Sequence, residues 1–87
     1  QALYLMNNPF VIGQAFNMAQ RVMDTTETRR DGIRLAYELA YAREATDDEV
    51  SKAHVFLNSV ADEKDRPGQW TVLCQSLLAS AEFRYVD

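Results

Sequence analysis

Hydrophobic positions recur at three- and four-residue spacing in four stretches of the chain, and cap or turn residues separate the stretches. The first begins at Asn8-Pro9. A residue before proline is pushed to the extended region that an N-cap needs, and proline suits the first helical position, so the pattern predicts a helix over about 9–23. Ile12, Ala15, Phe16, Ala19, Val22 and Met23 form its expected buried stripe. Gly13 costs such a helix about 1 kcal/mol relative to Ala, which predicts a close helix crossing there.

A second helix is expected over about 29–42, with Thr28 as cap and Asp31 three residues on. Ile33, Ala36, Tyr37 and Ala40 face one way, and Leu35, Leu39 and Tyr41 widen the stripe, so this helix is expected to be the central one. Thr46-Asp47-Asp48-Glu49 is the sharpest local signal. Thr46 caps, Glu49 reaches back, and three carboxylates meet the positive end of the helix dipole. That third helix is expected to run to about 63, burying Val50, Ala53, Leu57, Val60 and Ala61 with Phe56 at the edge.

Asp65-Arg66-Pro67-Gly68 reads as a loop. A last helix follows over about 69–81, on the stripe Trp70, Leu73, Cys74, Leu77, Leu78 and Ala81. Glu82 is expected to end it and let Phe83 and Tyr85 fold back as a lid on the core. The opening stretch Ala2-Leu3-Tyr4-Leu5-Met6 is apolar on every side and too short to stand alone, so it reads as the end of a helix that begins upstream. No segment alternates with the strand period. The fold class is all-α: a small bundle of four to five short helices in a single domain over 1–87.

At 87 residues, 47% hydrophobic and 25% charged, the chain is foldable but has a thin core. The net charge of −4 is uneven, because residues 1–43 hold five basic and four acidic groups and residues 44–87 hold four and nine. The basic cluster Arg29, Arg30 and Arg34 is interleaved with Glu27, Asp31 and Glu38, which argues against nucleic acid as a partner, since phosphate binding needs a clustered positive face. No apolar run approaches the roughly 18 residues that span a bilayer. The chain opens on Gln1 rather than Met, and a longer polypeptide is expected around it.

Candidate chemistry is sparse. His54 has Val50, Ser51, Leu57 and Asn58 as helical neighbours, so it lacks the second ligand one turn away that a metal site needs. Cys74, the one cysteine, lies among Trp70, Thr71, Leu77 and Leu78, a core setting rather than one that activates a thiolate. Asp47, Asp48 and Glu49 lack the frame of a calcium loop. Met6, Met18 and Met23 read as core filler, with no Cys-x-x-Cys-His for haem attachment. The sequence therefore assigns no catalytic, cofactor-binding or metal residue and no cofactor.

The stretches "QALYLMNNPFV", "REATDDEV" and "WTVLCQSLLASAEFRYVD", in that order and spacing, resemble the C-terminal end of the domain-of-unknown-function family 1553, the planctomycete PSD domain. The resemblance spans the whole chain. Ser80, Arg84 and Glu44-Ala45 depart from the family pattern. It implies a C-terminal domain of a large, exported or cell-envelope bacterial protein, whose haem and electron-transfer chemistry, where present, belongs to other domains. The implied role is a helical structural or interaction module that packs on upstream domains of the same protein. The alternatives are a fragment that completes an enzyme active site lying upstream, and a free-standing module for a peptide or protein partner. An exposed apolar patch would favour a module, and a polar cleft with a perturbed titratable group would favour the enzyme. A homodimer through Ala2, Leu3, Leu5 and Met6 is also expected.

Overall fold

The computed structural model of the chain describes residues 8–59 and 63–86, with side chains over 8–59 and 64–81. Among the described residues the fold is all-α: α1 (Pro9–Thr25), α2 (Arg29–Tyr41), α3 (Asp47–Asn58), a 3₁₀ turn (Glu63–Asp65) and α4 (Arg66–Val86). The segment at Ala2–Met6, with Val60 and Ala61, lies outside the described residues, as do the side chains of Phe83 and Tyr85.

Each of the first three helices starts where its cap residue stands. Asn8 is extended and its Oδ1 accepts from the Phe10 N–H at 2.8 Å, with Pro9 in the first position. Thr28 Oγ1 accepts from the Asp31 N–H at 3.1 Å, while the Asp31 carboxylate turns instead to Arg34. At α3 the capping box is complete. The Glu49 N–H donates to Thr46 Oγ1 at 3.1 Å and the Thr46 N–H donates to Glu49 Oε1 at 2.9 Å.

Several boundaries differ from expectation. α3 ends at Asn58, short of 63, because the Ser59 N–H and hydroxyl both donate to the Phe56 carbonyl and close the last turn in the tighter i−3 pattern. The expected loop at 65–68 is instead the 3₁₀ turn running into the first turn of α4. Pro67 fits there because a first-turn N–H has no intrahelical partner to lose. Nor does α4 stop at Glu82; its helical backbone continues to Val86, through a stretch without Gly or Pro.

The core draws on all four helices. It contains Ala15, Ala19 and Val22 from α1, Ile33, Ala36 and Tyr37 from α2, Val50, Ala53 and Leu57 from α3, and Trp70, Leu73, Cys74 and Leu77 from α4. Removing a side chain such as Ile33 or Leu57 from water contributes about 1.5–3 kcal/mol each. The central helix is α4 rather than α2: it packs on every other described element, most extensively on α1. Small residues on the inner side of α1 leave room for the large side chains of α4.

Two expectations for α1 are corrected. Ile12 and Phe16 stand outside the core, and Val11 is buried in their place. The close helix approach occurs at Gly32, not Gly13. A Cβ on Gly32 would lie 2.8 Å from the Trp70 ring, 3.1 Å from Thr26 Oγ1 and 3.1 Å from Val22 Cγ1, whereas one on Gly13 would meet nothing within 4 Å.

Candidate functional site

The residues that carry chemistry are scattered over separate parts of the fold. Cys74 is fully buried at the α4 seam, and burial pushes its thiol up to about 12, so it stays protonated and sheltered at neutral pH. His54 is half-buried on α3, with its Nδ1 atom buried and unpaired. No group of three His, Cys, Asp or Glu side chains that could hold a metal occurs among the described residues. Met18 and Met23 pack against the core, and Met6 lies outside the described residues. No described helix is long and apolar enough to cross a membrane.

The charged residues mostly hold helix ends in place. Arg29 donates to Asn58 Oδ1 and so ties the start of α2 to the end of α3. Arg34 lies 3.7 Å from Asp31, and Lys52 lies 3.0 Å from Asp48, both as exposed pairs along one helix. Asp47, Asp48 and Glu49 occupy the first turn of α3, where their charge meets the helix dipole.

The α2–α3 corner carries an arrangement that periodicity does not reveal. Ala42 ends α2 in the left-handed conformation at φ 57°, which reverses the chain and swings Arg43 back over the helix end. The Arg43 guanidinium lies 5.9 Å from the Tyr37 ring centre and 5.3 Å from that of Tyr41. Its two terminal nitrogens donate to the two Glu49 carboxylate oxygens, each at 2.9 Å. Those bonds, with the Thr46 N–H, hold the Glu49 carboxyl down at about 2. The Arg43 guanidinium and the Glu49 carboxylate occupy one another, so the cluster is a clasp between two helices. The signal for it was the Arg43…Glu49 spacing across a capping box, with two tyrosines one turn apart on the preceding helix.

Among the described residues, open grooves of about 280 Å³ lie in two places. One lies between α1, α2 and α4, with Met18, Leu39 and Leu78 as apolar lining and Gln14, Asn17 and Arg21 as polar lining. The other lies where α1 gives way to α2 and α4 begins, and there Arg29 and Arg66 share the wall with Glu27 and Trp70. The opposed charges at the second groove, and the engagement of Arg29 by Asn58, leave it without a single-sign field.

The most distinctive surface is the outward side of α1. Phe10 is 66% exposed, Phe16 53% and Ile12 41%. At 100° per residue Ile12 and Phe16 line one side of Gly13 and Phe10 the other, opposite Val11, Ala15 and Val22 in the core. No charged residue occurs anywhere in 8–20.

The described bundle, an all-α domain with an exposed apolar patch on α1, sits within a recognised protein class. Residues 1–57, which include α1 and α2 and nearly all of α3, match the family model PSD1, protein of unknown function (DUF1553), and the chain belongs to that family. The closing stretch that contains α4 lies beyond the matched residues. No curated protein and no solved structure matches the chain.

Proposed function

We propose that this chain is a helical structural and interaction module of a larger exported bacterial protein, one that supplies docking surface and does not itself carry out a reaction. The observation that carries this reading is the outward face of α1, where three large apolar side chains, Phe10, Ile12 and Phe16, stand in solvent around an open glycine. Scattered single apolar residues need no explanation, but three within two turns of one uncharged helix face form a patch of the kind that marks interaction sites. A location in the C-terminal part of an exported or envelope protein, with upstream domains as partners, accords with the family resemblance.

The test is carbene footprinting of the larger protein beside the isolated 87-residue chain at low concentration. Phe10, Ile12 and Phe16 are expected to label several-fold less in the larger protein, as residues in a desolvated contact do. Equal labelling in both would defeat the reading.

A further inference from the structure

We propose that the groove between α1, α2 and α4 is a peptide-binding site, which takes an extended segment carrying an apolar side chain and, two residues on, an aspartate or glutamate. None of Phe10, Ile12 and Phe16 lines this groove, so the proposal goes beyond the docking reading above and uses other residues. The first reason is the way the groove sorts its lining. Gln14, Asn17 and Arg21 stand on α1 at spacings of three and four, so they form one polar row along the helix. Met18 from α1, Leu39 from α2 and Leu78 from α4 make the apolar lining beside that row. Met18 and Leu78 pack against the core and Leu39 is 36% exposed, so apolar surface here remains in reach of water and is stabilised by an apolar group that covers it.

The second reason is charge. Arg21 makes no ion pair and no side-chain hydrogen bond among the described residues, although Asp24 follows it by three residues. Arg29, Arg34, Arg43 and Lys52 are instead engaged by Asn58, Asp31, Glu49 and Asp48. No carboxylate lines this groove among the described residues. In a chain of net charge −4, the groove is thus a place of positive sign, and the group it complements is a carboxylate, which a guanidinium holds through charge-assisted hydrogen bonds.

The third reason is the form of partner that the polar row suits. Gln14 and Asn17 each offer an amide with donors and an acceptor, which is what the free N–H and C=O groups of an extended chain require, whereas a partner helix has already used those groups internally. From Gln14 to Arg21 the row runs about 10 Å along α1, the length of about three extended residues. Met18 and Arg21, three residues apart on the helix, stand about 5–6 Å from one another. Side chains at i and i+2 of an extended chain point the same way at about 7 Å, so an apolar group beside Met18 places the carboxylate of the second residue beyond it at Arg21.

The probe is the synthetic peptide acetyl-Gly-Ala-Leu-Ala-Glu-Ala-Gly-amide, titrated into the isotope-labelled chain and read by NMR. Saturable shifts are expected at the methyl groups of Met18, Leu39 and Leu78 and at the side-chain amides of Gln14 and Asn17. Arg21→Gln changes an exposed position, so it keeps the helical circular dichroism, and it is expected to weaken binding by about tenfold or more, as loss of a charge-assisted bond does. A peptide with glutamine in place of glutamate is expected to lose a similar factor against the parent chain and little further against Arg21→Gln, because the two changes remove one contact. Absence of saturable binding would overturn the proposal, and so would binding indifferent to Arg21→Gln or losses that simply add. Shifts confined to Phe10, Ile12 and Phe16 would also overturn it, by placing the peptide on the exposed patch. Carbene protection of that patch in the larger protein is a separate readout, so the docking reading stands or falls independently of the peptide.

Discussion

Gly13 and Gly32 stand in neighbouring helices, each at the cost that glycine imposes on a helix interior, and their surroundings are opposite. Gly32 is buried against Trp70, Val22 and Thr26, so that the absence of a side chain is what lets the Trp70 ring lie against the start of α2. Gly13 faces open space beside Phe10, Ile12 and Phe16. At Gly32 the fold itself accounts for the glycine. At Gly13 it does not, because that position faces open space. The same residue type therefore admits a close contact in one helix and stands in the open in the other.

The largest effect that probes this contrast is removal of the ring that Gly32 admits. Trp70→Ala is expected to cost about 3–5 kcal/mol, as large aromatic truncations in cores do, enough to threaten folding in a domain of this size. Urea titration measures it, and a loss below about 1 kcal/mol would mean that the α2–α4 seam contributes little. Gly32→Ala comes next. A methyl 2.8 Å from a buried ring forces the ring or the helix to move, and overpacking of this kind costs about 1–3 kcal/mol. Cys74 supplies a second readout at the same seam. Its buried thiol reacts with a thiol reagent through opening of the bundle, so native labelling is slow and Gly32→Ala accelerates it in proportion to the stability lost. Labelling of the parent chain at the rate of a free thiol would contradict a closed seam.

A smaller effect tests whether the α2–α3 corner contributes on its own account. Thr46→Ala removes the side-chain half of the capping box and is expected to cost about 1 kcal/mol. The Glu49 half has a pH signature. Its folded-state carboxyl, at about 2, lies below the 4.5 of an unperturbed glutamate, so the unfolded chain binds more protons between those values. The stabilisation is complete above about 4.5 and is lost as pH falls toward 2. Glu49→Gln is expected to lower the urea midpoint at neutral pH and to flatten the slope below pH 4.5. An unchanged acid limb would mean that the Arg43 pair is not maintained in solution.

The two glycines also show which features of this fold are legible in the sequence. Caps are legible because their chemistry is local: Asn8-Pro9, Thr28 and Thr46…Glu49 each begin a helix where they stand. The inner faces of α2, α3 and α4 follow from three- and four-residue spacing, and Ile33, Ala36, Tyr37, Val50, Ala53, Leu57, Trp70, Leu73, Cys74 and Leu77 are buried. On α1 spacing alone is ambiguous. Val11, Ala15 and Val22 form one stripe and Ile12, Phe16 and Met23 another, 100° apart. Hydrophobicity favours the second stripe, whereas packing against the bulky side chains of α4 selects the smaller first one. Ser59 and Pro67 mislead for a related reason, since both residue types are compatible with a loop and with a helix end or start. The Arg43 clasp depends on a left-handed Ala42, which nothing in an alanine announces. The exposed patch on α1 was not legible, because three- and four-residue spacing places Ile12 and Phe16 in the buried stripe and only the fold turns them outward.

The smallest expected effect is the one most specific to the contrast. Gly13→Ala, measured in dilute chain, is expected to raise stability by up to about 1 kcal/mol, because alanine is the better helix former and its methyl meets nothing within 4 Å. Part of that gain arises in the unfolded state, whose freedom the substitution reduces. Gly32→Ala carries the same propensity gain and still falls in stability, since the clash with Trp70 outweighs it. Opposite signs for one chemical change at two helical glycines are therefore the expected outcome, with urea midpoints measured side by side at a single low concentration. If both substitutions stabilise, the Trp70 ring has room to retreat and the seam is looser than its geometry. If both destabilise, the outer face of α1 is covered even in the single chain, and the open notch at Gly13 does not exist in solution.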